Sequence, residues 1–311
     1  MFKTEDNMQL SIVNEITKDD LLSVIIPTYH RELPIVQRAI DSVINQSYPY
    51  IEAIVVDDNE SISAFSQKLK SYCKQHGIIY IKQFGRAGAC NARNLGVANS
   101  TGKYIAFLDD DDEWFPSKAS EQIAALKQGF DFVFCNGLNV HVSDITGNRR
   151  ECKYRSDENF IQMPGFEDML LKNYVGTTSQ IVLTRECFFC IGGFDSQFEA
   201  RQDYDLCLRA SKGHKLYGLN RILFKHYIHS SFQISKDSHA ALQGYRRLYV
   251  KYKPFYKKSL AAYVNICCKI SKSYLHNKKY VLWLMWILKA FFRKPNNLKY
   301  ILRKSSDPKI I

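Results

Sequence analysis

Four consecutive carboxylates, Asp109 to Asp112, follow directly on the apolar run Tyr104-Ile-Ala-Phe-Leu108. Like charges crowded at the end of a buried strand repel one another, and a hard divalent cation such as Mg²⁺ or Mn²⁺ relieves that repulsion through oxygen ligands. An EF-hand loop is excluded, because its sixth position requires glycine and here holds Trp114. A second acidic pair, Asp57-Asp58, closes the run Ile54-Val55-Val56 and has the chemistry to recognise ribose hydroxyls or a base. The glycine-containing stretch from Gly85 to Gly96 places Arg86 and Arg93 at the start of a helix, where phosphate is favoured. It matches neither the Walker loop nor GxGxxG. Asp203 and Asp205 open a further helix, and either has the chemistry of a general base. For each group the plainer alternative is a solvated loop or a partner for a helix dipole.

The elements that must hold these residues are legible in outline. Residues 21–29 form a continuous apolar run ended by Pro27-Thr28, typical of a strand buried on both faces. Helical spacing follows over 33–45, where Val36, Ala39, Ile40, Val43 and Ile44 share one face. Strands at 51–56, 78–81 and 104–108 alternate with helices at 63–76 and 91–99. This alternation predicts a mostly parallel α/β sheet flanked by helices, Rossmann-like, with ligands beyond the carboxyl ends of its strands. Both acidic clusters sit at such ends. A helix over 117–128, a strand over 130–136, a loop or weak hairpin over 142–162, a helix over 165–173, a strand over 180–185 and a helix over 203–210 complete the body.

The 311 residues carry a formal net charge of +12, and its location is informative. From Ala241 to Ile311 there are 17 lysines and arginines against the single Asp307, whereas the other 240 residues carry 26 basic and 30 acidic side chains. A mildly acidic body thus bears a strongly basic tail, which seeks a polyanion. Helices are expected in the tail at 242–252, 260–276 and 280–293. The last begins with nine apolar residues before Lys289, too few to cross a bilayer. Its tryptophans and flanking Lys278, Lys279, Arg293 and Lys294 suit a helix lying in the interface plane. The polar, acidic N-terminus shows no secretory signal, and nine scattered cysteines are expected as reduced thiols.

Taken together, SVIIPTYHR (23–31), AIDSVINQSYPYIEAIVVDDNE (39–60), GRAGACNARNLGVANSTGKYIAFLDDDDEWFPSK (85–118), GGFDSQFEARQDYDLCLRA (192–210) and KHYIHSS (225–231) resemble glycosyltransferase family 2, the inverting GT-A type. The resemblance covers about residues 21–232. It implies a nucleotide-diphosphate sugar donor, a UDP-sugar favoured, and Mn²⁺ or Mg²⁺ as cofactor. It implies that Pro27, Thr28, Asp57 and Asp58 hold the nucleoside, that Arg86 and Arg93 face the donor, and that Asp109 and Asp110 lie beside it. Asp109 and Asp111 look like the metal-binding pair, with His229 as a third contact, and Asp203 matches the catalytic base. The usual acid before that base is Gln202 here. The expected organisation is a polar arm (1–20), a catalytic domain (21–232, with nucleotide-binding and acceptor halves meeting at 112/113) and a basic helical membrane-associating region (233–311). The expected acceptor is a lipid-linked or cell-surface glycan, reached from the cytoplasmic face of a membrane whose anionic surface the tail binds. A sugar nucleotidyltransferase shares the architecture, but its GxGxR-type loop is absent after the first strand. A nucleic-acid-binding role for the tail leaves the acidic clusters unexplained, so no nucleic-acid partner is expected.

Overall fold

The computed structural model describes residues 20–85, 87–142, 149–228 and 238–293. The expected arm, apart from Asp20, and the chain beyond 293 lie outside them, as do Arg86 and His229. The body opens with alternating strands and helices: β1 (Leu22–Thr28), α1 (Leu33–Ile44), β2 (Ile51–Asp57), α2 (Ala64–Gln75), β3 (Ile79–Lys82), α3 (Ala89–Ala98) and β4 (Tyr104–Phe107). It continues through β5 (Glu113–Trp114), α4 (Lys118–Leu126), β6 (Phe132–Val142), β7 (Arg149–Lys153), α5 (Phe166–Leu171), β8 (Ile181–Thr184), α6 (Arg185–Cys190), α7 (Gln202–Ala210) and β9 (Leu216–Ile228). Four helices close the described chain: α8 (Ser238–Lys251), α9 (Lys253–Lys258), α10 (Leu260–His276) and α11 (Tyr280–Arg293).

One nine-stranded sheet runs in the order β3-β2-β1-β4-β8-β6-β9-β5, with β7 paired to β6. The first four strands are mutually parallel. Beyond β4 the sheet mixes directions: β8 is antiparallel to both β4 and β6, whereas β6 and β9 run parallel. The apolar runs read in the sequence are buried on both faces, and successive side chains separate into two cores. Ile25, Ile54, Val56 and Phe107 point to one core; Val24, Ile26, Val55 and Ala106 point to the other, against Val36, Ala39 and Ile40 of α1.

The weak hairpin expected over 142–162 is present as β7, antiparallel to β6 with all five residues exposed, and two further features go beyond the sequence reading. β9 is a 13-residue strand whose middle holds Asn220 and Arg221, and its register against β6 shifts twice. The C-terminal helices do not stand apart from the body. Leu242, Leu248, Tyr252, Tyr256, Ile266, Ile270, Trp286 and Ile287 join the same core as Ile25, Phe107 and Phe134. Among the described residues, no helix is long and apolar enough to cross a membrane.

Candidate active site

The register of the parallel strands sets the site. Thr28 lies beside Asp57 at the ends of β1 and β2, and Ile25 lies beside Phe107, so the chain leaving β4 delivers the four aspartates next to Thr28. Pro27, opposite Val56, completes that edge. The Thr28 hydroxyl donates to Asp110 at 2.7 Å, fastening β1 to the acidic loop. Arg31, just past β1, reaches Asp110 through Nε at 3.1 Å and Asp111 through Nη2 at 2.8 Å.

Asp57 and Asp58 have different tasks. The Asp57 carboxylate is fully buried and accepts bonds from the hydroxyls of Ser66 (2.6 Å) and Tyr80 (2.7 Å) and from the amide of Asn59 (2.7 Å). Burial pushes its titration up, but these donors outweigh burial and hold it below the usual carboxylate range. Asp57 therefore forms the inner wall of the edge. Asp58 accepts from the backbone N–H groups of Ala87 (3.0 Å) and Gly88 (2.9 Å), clamping the glycine loop beside β2. Gly88 sits at φ 85°, a left-handed conformation that glycine adopts without steric cost, and it starts α3.

The four aspartates turn in different directions. Asp109 accepts from Arg93 (2.6 Å), Thr177 (3.0 Å) and Thr178 (2.9 Å). Burial raises its titration, yet the Arg93 guanidinium and the two hydroxyls bring it below the ordinary value. Asp112 is buried and accepts from the Ser179 hydroxyl at 2.5 Å, and His226 lies 3.0 Å from its other oxygen. Asp111 carries the frustration: burial and the charges of Asp112 and Asp110 push its carboxyl up to about 8, against the pull of Arg31. Burial also raises Asp110. Among the described residues no three His, Cys, Asp or Glu side chains form a ready-made metal centre. The all-oxygen donor set and the surplus of negative charge at Asp111 still fit a hard divalent cation.

His226 is the residue that sequence reasoning passed over. It is visible in KHYIHSS, but the local pattern does not mark β9, and the expected contact is His229, which lies outside the described residues. β9 carries His226 to the acidic loop, where Asp112, Asp111 and Asp109 overcome the effect of burial and raise its titration to about 9.

Asp203 occupies the first turn of α7. Its Oδ2 accepts from Asn173 Nδ2 at 3.1 Å, and Asn173 in turn holds the backbone of Val175 and Gly176. Burial raises the Asp203 titration, opposed by Arg201, the Tyr204 N–H and Arg93, while Asp109 adds to the rise. Arg93 and Asp109 are therefore within electrostatic reach of Asp203. Arg93 is 4% exposed, and its Nε and Nη1 have no hydrogen-bond partner among the described residues. The arrangement brings the Asp203 carboxylate, the acidic loop and the Arg93 guanidinium within electrostatic reach of one another. Asp205, by contrast, faces inward and is bonded by Arg209 (2.9 Å), Tyr252 (2.9 Å) and Lys251 (2.8 Å), a structural role.

Comparison with known proteins agrees with this geometry. The family model for glycosyl transferase family 2 matches residues 23–194. The chain is 28% identical over 221 residues to the UDP-Glc:alpha-D-GlcNAc-diphosphoundecaprenol beta-1,3-glucosyltransferase WfgD of Escherichia coli, covering 71% of this chain and 79% of that protein. It is 31% identical over 216 residues to the amylovoran biosynthesis glycosyltransferase AmsB of Erwinia amylovora, covering 63% of this chain and 65% of the relative. Among solved structures, S. aureus TarS 1–349 in complex with UDP-GlcNAc matches with a TM-score of 0.59 at 14% identity, covering 88% of this chain and 92% of that one. The last likeness establishes the GT-A type of fold.

Proposed function

The chain belongs to glycosyl transferase family 2, and from that premise we propose that it moves a sugar, with inversion, from a UDP-sugar to a hydroxyl of a lipid-linked or cell-surface glycan. The observation that carries this reading is the position of Asp203, within electrostatic reach of both Asp109 and Arg93. Thr28, Asp58 and the loop that Asp58 clamps form the nucleoside side of the site, with Asp57 as its support. Arg93 offers its free donors to the donor's phosphates.

In the reaction, Asp203 accepts the proton of the acceptor hydroxyl. The acceptor oxygen bonds to the anomeric carbon from the face opposite the nucleotide, while the bond from that carbon to the diphosphate oxygen breaks. The nucleoside diphosphate leaves with the electron pair, and one displacement inverts the configuration. Asn173 aims the base, and no enzyme nucleophile is required. A Mn²⁺ or Mg²⁺ ion held by Asp109 and Asp111 would supply positive charge to the departing diphosphate.

The names of WfgD and AmsB support a role in building bacterial polysaccharide. Exposed Val281, Leu284, Met285, Leu288 and Phe292 on α11, beside Lys278, Lys279, Lys289 and Arg293, support a peripheral seat on the cytoplasmic face of an anionic membrane.

The test is thermal stability of the protein with UDP, dTDP, GDP or CMP, each with and without Mn²⁺, beside Asp111→Ala. A ligand at a hundred times its Kd adds about 2.7 kcal/mol to the native state. Metal-dependent stabilisation by one nucleotide, absent in the variant, is the expected result. A native protein that no nucleotide stabilises refutes the transferase reading.

A further inference from the structure

Arg201, two residues before the base, combines features that the transfer chemistry above does not use. Its backbone sits at φ 67°, the left-handed region that non-glycine residues seldom occupy. Its guanidinium makes no hydrogen bond to any described residue, and Nε and Nη2 are buried without a partner. What holds it is the face of Tyr245 on α8, 4.6 Å from the guanidinium carbon. Lys269 of α10 brings a second cation to Tyr245, its Nζ 5.6 Å from the ring. α8 can approach this closely because residue 244 is glycine. A Cβ there would lie 2.5 Å from the Ala200 carbonyl oxygen and 2.9 Å from Arg201 Cγ. Arg201 also caps α7, whose N-terminus has no side-chain cap. Arg201, an uncapped helix start and a strained backbone thus lie together beside Asp203, on the side where α8 packs, with Lys269 on the same tyrosine.

Such a site suits a doubly charged phosphate group. The donor's diphosphate belongs near Asp109, Asp111 and Arg93, so a second anion here belongs to the other substrate. An acceptor sugar whose hydroxyl meets Asp203 would hold its own anomeric substituent one sugar ring away, on the Arg201 side. Membrane proximity points the same way. Tyr249, one turn along α8 from Tyr245, packs on Trp286 of α11 with ring centroids 5.1 Å apart, and α11 carries the exposed apolar stripe. Resting on the transferase reading, we propose that Arg201, seated on Tyr245 and assisted by Lys269, binds the diphosphate of a lipid-linked glycosyl-diphosphate acceptor.

The experiment compares two acceptors with the same sugars, one as an undecyl diphosphate and one as an undecyl glycoside, across a panel of first sugars. Wild type is expected to prefer the diphosphate. Arg201→Ala, assayed well above the acid limb because Arg201 also lowers the Asp203 titration, raises the diphosphate KM about ten- to hundredfold more than the glycoside KM, while donor KM stays near wild type. Arg201→Lys recovers part of the loss. Arg201→Gly, which relieves the left-handed backbone, fixes the cause: it loses diphosphate recognition as fully as Arg201→Ala despite equal or higher stability. An increase in donor KM instead assigns Arg201 to the donor and overturns the proposal. Equal losses on both acceptors, or no preference in wild type, overturn it as well. Binding of undecyl diphosphate alone, followed by melting temperature, gives a second readout. Stabilisation of wild type but not of Arg201→Ala supports the site even if no sugar is transferred, and that combination would refute the transferase reading alone.

Discussion

Removing the amide of Asn173 isolates how the base is tuned. Asp203 must be ionised to accept a proton, and burial raises its titration, so the acid limb of the rate profile lies above that of an ordinary aspartate. The 3.1 Å bond from Asn173 Nδ2 favours the ionised form. A hydrogen bond to a charged group contributes about 1.5–3 kcal/mol, and about 1.4 kcal/mol corresponds to one pH unit. In Asn173→Ala the acid limb of kcat/KM therefore moves to higher pH by on the order of one to two units, while the rate well above it recovers toward wild type. The assay is initial transfer rates from pH 5 to 9 at subsaturating acceptor. Asn173 also anchors Val175 and Gly176, so some loss of melting temperature is expected. A uniform fall in rate with an unmoved limb would show that Asn173 only supports its turn, and the tuning argument would be refuted.

Asp203→Asn abolishes at least a hundredfold of transfer at pH 7 yet melts no lower than wild type. The folded carboxyl titrates above the unfolded one, so its stabilising contribution is present at low pH and lost as pH rises past the folded value. Differential scanning calorimetry at pH 7 and pH 4.5 checks the sign. Lys118 is fully buried against Trp114, its Nζ donates among the described residues to Gln122 at 2.5 Å, and burial lowers its titration to about 8. Stability should therefore rise with pH above about 8, and Lys118→Met should be more stable at pH 7 by on the order of 3 kcal/mol, an advantage that shrinks toward pH 10. Equal stabilities at pH 7 in urea titrations would contradict this. Leu284→Glu with Leu288→Glu, on the exposed stripe of α11, should weaken sedimentation with anionic vesicles about a hundredfold or more while leaving nucleotide-induced stabilisation intact; unchanged sedimentation would place membrane contact elsewhere.

Much of this architecture could be read because its strands are extreme cases. β1, β2 and β4 are buried on both faces, so their apolar runs are continuous, and the polar residues that end them mark the sheet edge. β9 could not be read, because Asn220, Arg221 and Ile222 face outward and interrupt the pattern with charge and exposure. With the strand hidden, the sequence points to His229 and not to His226 as the imidazole at the acidic loop. The tail's helices were legible from their spacing, but their docking was not. Tyr252 and Tyr256 meet the body through contacts distant in sequence, and no local pattern encodes the partner. The same holds for Asp57, whose role is fixed by Ser66 and Tyr80 from other elements.

The bonds from Tyr252 and Lys251 to Asp205 have a consequence for biosynthesis. The parallel strands β1 to β4 precede the rest of the sheet and pair with near neighbours. The helix bearing the base obtains its outer wall only when α8 and α10 follow, the latter ending at His276. At about 5–20 residues per second, the residues between Arg201 and α11 take several seconds to add. Throughout that interval Asp205 lacks its Tyr252 and Lys251 partners, and Tyr204 lacks Tyr256 and Lys269, which meet it in the finished chain. A nascent chain halted before α8 should hold nucleotide yet transfer nothing, so competence arrives only once α8 and α10 have packed.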